Sequence, residues 1–171
     1  MLEEENVRWL PVPNKVRSVL SLEMPPLHLC TSAFVLPFDQ CNNVLLSHVL
    51  KRGLDLIGGH LEWKPGVPRR FETPQEGALR ESSEEAGAEL EDLRLLGYKE
   101  MYVSAPPLGY RYPTPISYAV YFGARLVNYT GTRVPEECGE PKLISPEDAF
   151  DIQAIERHKS FYLRAYRMFA M

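Results

Sequence analysis

The sequence predicts an α/β fold, an α/β/α sandwich packed around a mixed β-sheet. Short runs rich in β-branched and aromatic residues, bounded by Pro, Gly or polar turns, read as strands, with Ile116 to Asn128 the densest. Between and after them lie two segments with strong helix starts, at Thr73 and Ser145. A length of 171 residues, 44% apolar and 25% charged, suits one domain large enough to bury a proper core. Residues 1–171 are therefore expected to form one domain, with 1–28 as an N-terminal extension and 151–171 as a C-terminal helix.

Along the chain, Val16 to Met24 is compatible with a short helix or a strand, and Pro25-Pro26 closes it. His28 to Phe38 reads as a buried strand stopped by Pro37 and the polar turn Asp39 to Asn43. Val44 to Leu50 is a second strand, placed to form a hairpin with the first. Leu54 to Ile57 feeds Gly58-Gly59, a pair that lets the backbone turn sharply and come close to a ligand. Leu93 to Val103 is a strand, followed by a Pro-rich loop from Ser104 to Pro115. The strand from Ile116 comes next, then an acidic turn at Glu136-Glu137-Cys138-Gly139-Glu140 and a short strand from Lys142 to Ile144. Ser145-Pro146-Glu147-Asp148 repeats the cap chemistry of Thr73 and opens one or two helices running towards Met168. No internal repeat or low-complexity tract interrupts this order.

The segment from Gly58 to Ala88 organises the rest. Thr73-Pro74-Gln75-Glu76 combines an N-cap, a proline suited to the first helical position and a capping-box glutamate, and Gly87 suits the left-handed residue that ends a helix. At 100° per residue, Glu81, Glu84 and Glu85 share one arc, while Leu79, Ser83 and Ala86, with Ser82 near their edge, form the face expected to pack on the sheet. Three carboxylates at this spacing repel one another. They are either a solvated acidic face or a set of hard oxygen ligands for Mg²⁺ or Mn²⁺.

The flanks favour the second reading. Glu72, seven residues, then Arg80-Glu81-x-x-Glu84-Glu85-x-Gly87 resembles the signature of the Nudix hydrolases, with Gly58-Gly59-His60-Leu61-Glu62 similar to the family's opening. Gly59 lies thirteen positions before Glu72 where the family has six, so the loop carries seven extra residues; Gly66 satisfies the family spacing but lacks the surrounding string. Ser82 stands where the family has an aliphatic residue, and Ile57 where it commonly has Pro. The resemblance implies a Nudix-type sandwich and hydrolysis of a diphosphate bridge in a nucleoside diphosphate linked to another group, with Mg²⁺ (or Mn²⁺) as cofactor. Carried over by position, Glu81, Glu84 and Glu85 are the expected metal ligands, the Gly58 carbonyl a further one, and Arg80 a brace partnered by Glu72 rather than by Glu76. Glu81 is one candidate base, and Glu136, Glu137 and Glu140 are carboxylates outside the motif that can serve. Candidate substrate contacts are His60, a stacking and cation–π group at Tyr110, Arg111 and Tyr112, and Arg69 and Arg70 in the lengthened loop from Trp63 to Phe71. A Nudix-fold module that senses a nucleotide without turning it over is the alternative.

Composition narrows the partners. A net charge of −4 argues against general nucleic-acid binding. Cys30, Cys41 and Cys138 are odd in number and widely spaced, as expected of free thiols in a reducing compartment, and the four histidines show no metal spacing. The acidic N-terminus lacks the apolar core of a signal peptide, and nothing approaches the ~18 apolar residues of a membrane span. A cytoplasmic protein acting on a small nucleotide is expected, with self-association as a homodimer left open.

Overall fold

The computed structural model describes residues 2–66 and 70–169. In chain order the strands are β1 (Leu2–Glu5), β2 (Asn14–Leu20), β3 (Cys30–Phe38), β4 (Val44–Val49), β5 (Gly53–Asp55), β6 (Ile57–His60), β7 (Trp63–Lys64) and β8 (Arg70–Phe71). Helix α1 (Pro74–Ala86) is followed by β9 (Ala88–Val103), β10 (Ile116–Tyr129), β11 (Cys138–Ile144), α2 (Gln153–Arg157) and α3 (Lys159–Phe169). Among the described residues, nine strands make one sheet in the order β1-β2-β9-β10-β3-β4-β11, with β5 paired to β4 and β6 to β3. The pairing of β10 with β3 is parallel and the rest is antiparallel, so the sheet is mixed as expected.

The pleat of β3 sends successive side chains to opposite faces, and each face has its own helical cover. Ala33 and Val35 join Val120, Phe122, Ile57 and Leu61 against Ala78 and Ala86 of α1. Leu36 and Phe38 join Tyr121, Leu96 and Val16 against Ile155, Phe161, Tyr162, Ala165 and Phe169 of α2 and α3. These are the two outer layers of the sandwich. Phe161 stacks flat on Tyr121, with centroids 4.1 Å apart, and holds α3 to the sheet.

Several elements differ from the reading of the sequence. The region around Val16 is a strand, and residues 2–20 extend the sheet, β2 pairing with β9 from Asn14↔Val103 to Leu20↔Gly97. Strands β3 and β4 pair only at Phe38↔Val44 beside the turn, because β6 takes over the same edge of β3 from Val35 to Ser32. The Ser145 hydroxyl accepts from the Asp148 N–H at 3.2 Å and donates to its carboxylate at 2.8 Å, but that turn stops in a 3₁₀ segment (Ala149–Asp151), and α2 begins only at Gln153. The sheet-facing side of α1 is Pro74, Gly77, Ala78, Ser82, Glu85 and Ala86; Leu79 is 45% exposed and Ser83 half-buried. The three cysteines are free, Cys30 and Cys138 buried and Cys41 exposed. No described helix is long and apolar enough to cross a membrane.

Candidate active site

Helix α1 is held at both ends. Thr73 accepts from the Glu76 N–H and the Glu76 carboxylate accepts from the Thr73 N–H, completing the capping box. Gly87 closes the helix at φ 56°. The last carbonyls are then claimed by the segment after β10: Arg133 N–H donates to Glu84 O at 2.7 Å, Gly131 to Ala86 O and Thr130 to Gly87 O. Ser82, wholly buried where the family has an aliphatic side chain, satisfies its hydroxyl by donating to the Ala78 carbonyl at 2.7 Å.

The described ends of the lengthened loop pair with each other. Strands β7 and β8 form a small hairpin, the Trp63 and Phe71 rings lie 3.9 Å apart, and its base is closed by Glu72 N–H donating to Glu62 O and Glu62 N–H donating to the Glu72 carboxylate, both at 2.9 Å. Glu72 is thereby held beside α1, within reach of Arg80. Lys64 and Arg70 converge on Glu76, Arg70 with both terminal nitrogens at 2.7 Å. Arg70, expected to meet substrate, is thus a partner of the helix cap, and Arg69 lies outside the described residues.

Arg80 is the centre of the site. Its Nε and Nη2 donate to the two oxygens of Glu72 at 2.9 and 3.1 Å, a bidentate pairing, and Nη2 also donates to the His60 carbonyl at 2.9 Å. Its Nη1 donates to Glu81 at 3.0 Å and to Glu84 at 2.9 Å, with Glu62 at 3.9 Å. Burial by itself raises the Glu72 carboxyl, but the bonds from Arg80 and the Glu62 N–H outweigh it and leave the pKa below the usual carboxylate value. Burial works against the Arg80 charge as well, and Glu72, Glu81 and Glu84 together more than offset it.

Glu81 and Glu85 are less well compensated. Burial raises the Glu81 pKa, opposed by Arg80 and reinforced by Glu84 and Glu62. Glu85, 9% exposed, is pushed up to about 7 by burial first, with Glu81 adding to it and the Gly58 N–H bond opposing it. That bond is 3.1 Å long and falls on Oε2, while Oε1 faces the Cys138 thiol at 3.7 Å. Gly59 leaves the Glu81 carboxylate its place: a Cβ there would lie 2.5 Å from Glu81 Oε1.

Hard carboxylates raised by burial and mutual repulsion are the donor chemistry that suits a divalent cation such as Mg²⁺ or Mn²⁺, because the cation relieves both costs. Among the described residues no three His, Cys, Asp or Glu side chains stand ready to hold one ion, since Arg80 draws Glu81 and Glu84 to itself. Glu84, 42% exposed, is the least confined of the three.

Beside the carboxylates, the Pro-rich loop lays Tyr112 on His60, centroids 5.2 Å apart, with the phenol oxygen 3.1 Å from Nε2. Arg111 lies over the Tyr112 ring at 5.1 Å, and Tyr110 meets it edge-on at 5.4 Å. Burial and the Arg111 charge lower the His60 pKa. The structure thus gathers His60, Tyr110, Arg111 and Tyr112 at one flank of the site. Glu136 and Glu137 occupy the exposed turn before β11, and among the described residues neither carboxylate has a hydrogen bond or ion pair; the Glu137 carbonyl accepts from Leu50 N–H. Glu140 lies against Gly131. What that turn does bring to the site is Cys138, together with Ser47 on β4 behind it, and neither carries a local signal in the sequence.

A family model of the NUDIX domain matches residues 28–166. No curated protein matches the chain. Among solved structures, the pyrophosphohydrolase RppH of Bacillus subtilis is similar over 98% of this chain and 97% of its own, with a TM-score of 0.67 and 20% identity. The MutT protein of Methanosarcina mazei (TM-score 0.52, 21% identity, 86% of this chain and 98% of its own) and an Ap4A hydrolase of C. elegans (0.52, 16%, 83% and 98%) share the fold as well.

Proposed function

The chain belongs to the Nudix family, hydrolases acting on pyrophosphate bonds, and from that premise we propose that it hydrolyses the diphosphate bridge of a nucleoside diphosphate linked to another moiety, with Mg²⁺ or Mn²⁺ as cofactor. The observation that carries the proposal is the set Arg80, Glu81, Glu84 and Glu85 kept together on α1, with Arg80 anchored from behind by the buried Glu72. Glu81, Glu84 and Glu85 are the residues to hold the metal, with the Gly58 carbonyl beside them. A bound divalent ion supplies neutralisation of the diphosphate and a more acidic water.

The protein's own part is positioning. Arg80 limits repulsion among the carboxylates and ties them to the His60 carbonyl of β6. Gly59 leaves room for Glu81, one candidate base, against the strand. His60 and the Tyr110–Tyr112 segment line the flank where the nucleoside or its remote group rests, held by stacking and by the Arg111 charge.

The decisive experiment is a product-release screen with Mg²⁺ and Mn²⁺ over nucleoside triphosphates, ADP-ribose, nucleotide sugars, dinucleoside polyphosphates and coenzyme A. Turnover of one class that disappears with chelator and in Glu84→Gln is the expected result. Tight binding of a nucleotide with no turnover under any condition identifies a sensor module and overturns the proposal.

A further inference from the structure

Glu85 is gripped through both of its oxygens. Oε2 accepts from the Gly58 N–H at 3.1 Å, and Oε1 from the Cys138 thiol at 3.7 Å. The thiol is itself oriented, because the Ser47 hydroxyl donates to Cys138 Sγ at 3.5 Å. With the sulfur acting as acceptor towards Ser47, the S–H is left to point at the carboxylate, whose charged form the Ser47 hydroxyl also favours. Ser47 is wholly buried and Cys138 is 2% exposed, so this chain of polar groups is shielded from water, where weak hydrogen bonds count for more. It also comes from two strands, β4 and β11, that pair with each other.

We propose that Cys138, oriented by Ser47, is a positioning residue that fixes the rotamer of Glu85 so that its remaining lone pairs face the site. The inference rests on the reading of Glu85 as a metal ligand. A partner behind a ligating carboxylate sets its direction, and losing such a partner costs on the order of 10- to 100-fold in metal affinity. A simple packing role makes a different demand, since any side chain of similar size then serves.

The test uses the full chain and Mn²⁺ alone as probe, with affinity read by calorimetry and melting temperature as the control for folding. Cys138→Ala, which removes the donor, is expected to weaken Mn²⁺ binding about tenfold or more. Cys138→Ser, which restores a donor in a smaller volume, should recover most of that loss. Ser47→Ala, which leaves the thiol proton free to turn away, should weaken binding in the same direction by a smaller factor, and it stands in if Cys138→Ala does not fold. Parent-like affinity in Cys138→Ala, or in Ser47→Ala where that is the folded variant, overturns the inference. So does an equal loss in the Ala and Ser variants at position 138, which indicates packing. A parent protein that binds no Mn²⁺, or a Glu85→Gln variant that binds it normally, instead overturns the ligand assignment on which the inference rests.

Discussion

Glu76 and Glu85 lie on one helix, nine residues apart, and the fold treats them in opposite ways. Glu76 closes the cap, is met by Arg70, by the Thr73 N–H and by Lys64, and its pKa is driven far below the usual carboxylate value, the Arg70 bonds contributing most. Glu85 is pressed into the sheet with the Gly58 N–H, the Cys138 thiol and the Ser47 hydroxyl for company, and burial still pushes its pKa up to about 7. At the first end of α1 negative charge stabilises the fold. At the other it is held at a cost to the fold, which is the condition under which a cation binds with most gain.

The sharpest way to break that contrast is to remove each charge without changing shape. Glu84→Gln and Glu85→Gln should each lower kcat by about two orders of magnitude or more, the scale of losing one electrostatic stabiliser. Glu85→Gln should at the same time raise the melting temperature of the metal-free protein, because a buried, poorly paired anion is gone. Glu76→Gln should do the reverse, lowering the melting temperature and leaving kcat unchanged. A Glu85→Gln variant that melts lower than its parent contradicts the contrast.

Arg80 stands between the two in the sequence, and its loss is the next largest effect. Arg80→Met leaves Glu72, 8% exposed, without its bidentate partner. Breaking a buried pair costs about 3 kcal/mol or more. At about 2–4 °C per kcal/mol for a chain of this size, the melting temperature should drop by roughly 6–12 °C. A drop of only a degree would show that Glu72 finds another partner.

Divalent ions sharpen the comparison from outside. Ligand at ~100 times its Kd adds about 2.7 kcal/mol to a state that binds it. Melting temperature should therefore rise with Mg²⁺ or Mn²⁺ in parent and in Glu76→Gln alike, and fail to rise in Glu85→Gln. A chelator should reverse the gain.

A pH effect belongs to the opposite face of the sheet. His158 stacks near Tyr121 and Phe34 with its Nδ1 buried and unpartnered among the described residues. Burial, then the Lys99 and Arg157 charges, bring its pKa down to about 3 from the ordinary histidine value of 6.5. The unfolded chain then binds the extra proton between those two values, so stability is full above about pH 6.5 and declines as pH falls towards about 3. Melting curves from pH 7.5 to 4 should show this decline, flattened in His158→Phe. The smallest effect is Arg70→Ala, which takes one partner from an exposed pair: a slight fall in melting temperature with KM unchanged. A severalfold rise in KM would return Arg70 to the substrate.

The helix and its acidic arc were legible because their determinants are local. Thr73, Pro74, Glu76 and Gly87 each act within a few residues of themselves, and helical geometry alone puts Glu81, Glu84 and Glu85 on one side. The strand runs were legible for the same reason, although β9 begins at Ala88, before its apolar portion, and β2 kept two readings until it met β9. The bidentate partner of Arg80 was readable through the family spacing to Glu72, even across the lengthened loop.

What only the tertiary structure decided is which of those carboxylates is solvated and which is not. Periodicity placed Leu79 and Ser83 towards the sheet, yet the sheet accepts Gly77, Ala78, Ser82 and Glu85, because the helix approaches closely enough for only small or hydrogen-bonded side chains to fit. The same packing paired the ends of a loop with three positive residues so that Lys64 and Arg70 serve Glu76, and brought Cys138 and Ser47, 91 residues apart in the chain, behind Glu85. Such encounters depend on how strands distant in sequence come into register. Neither composition nor spacing carries that information, so the charge state of Glu85 is a property of the fold and not of the motif.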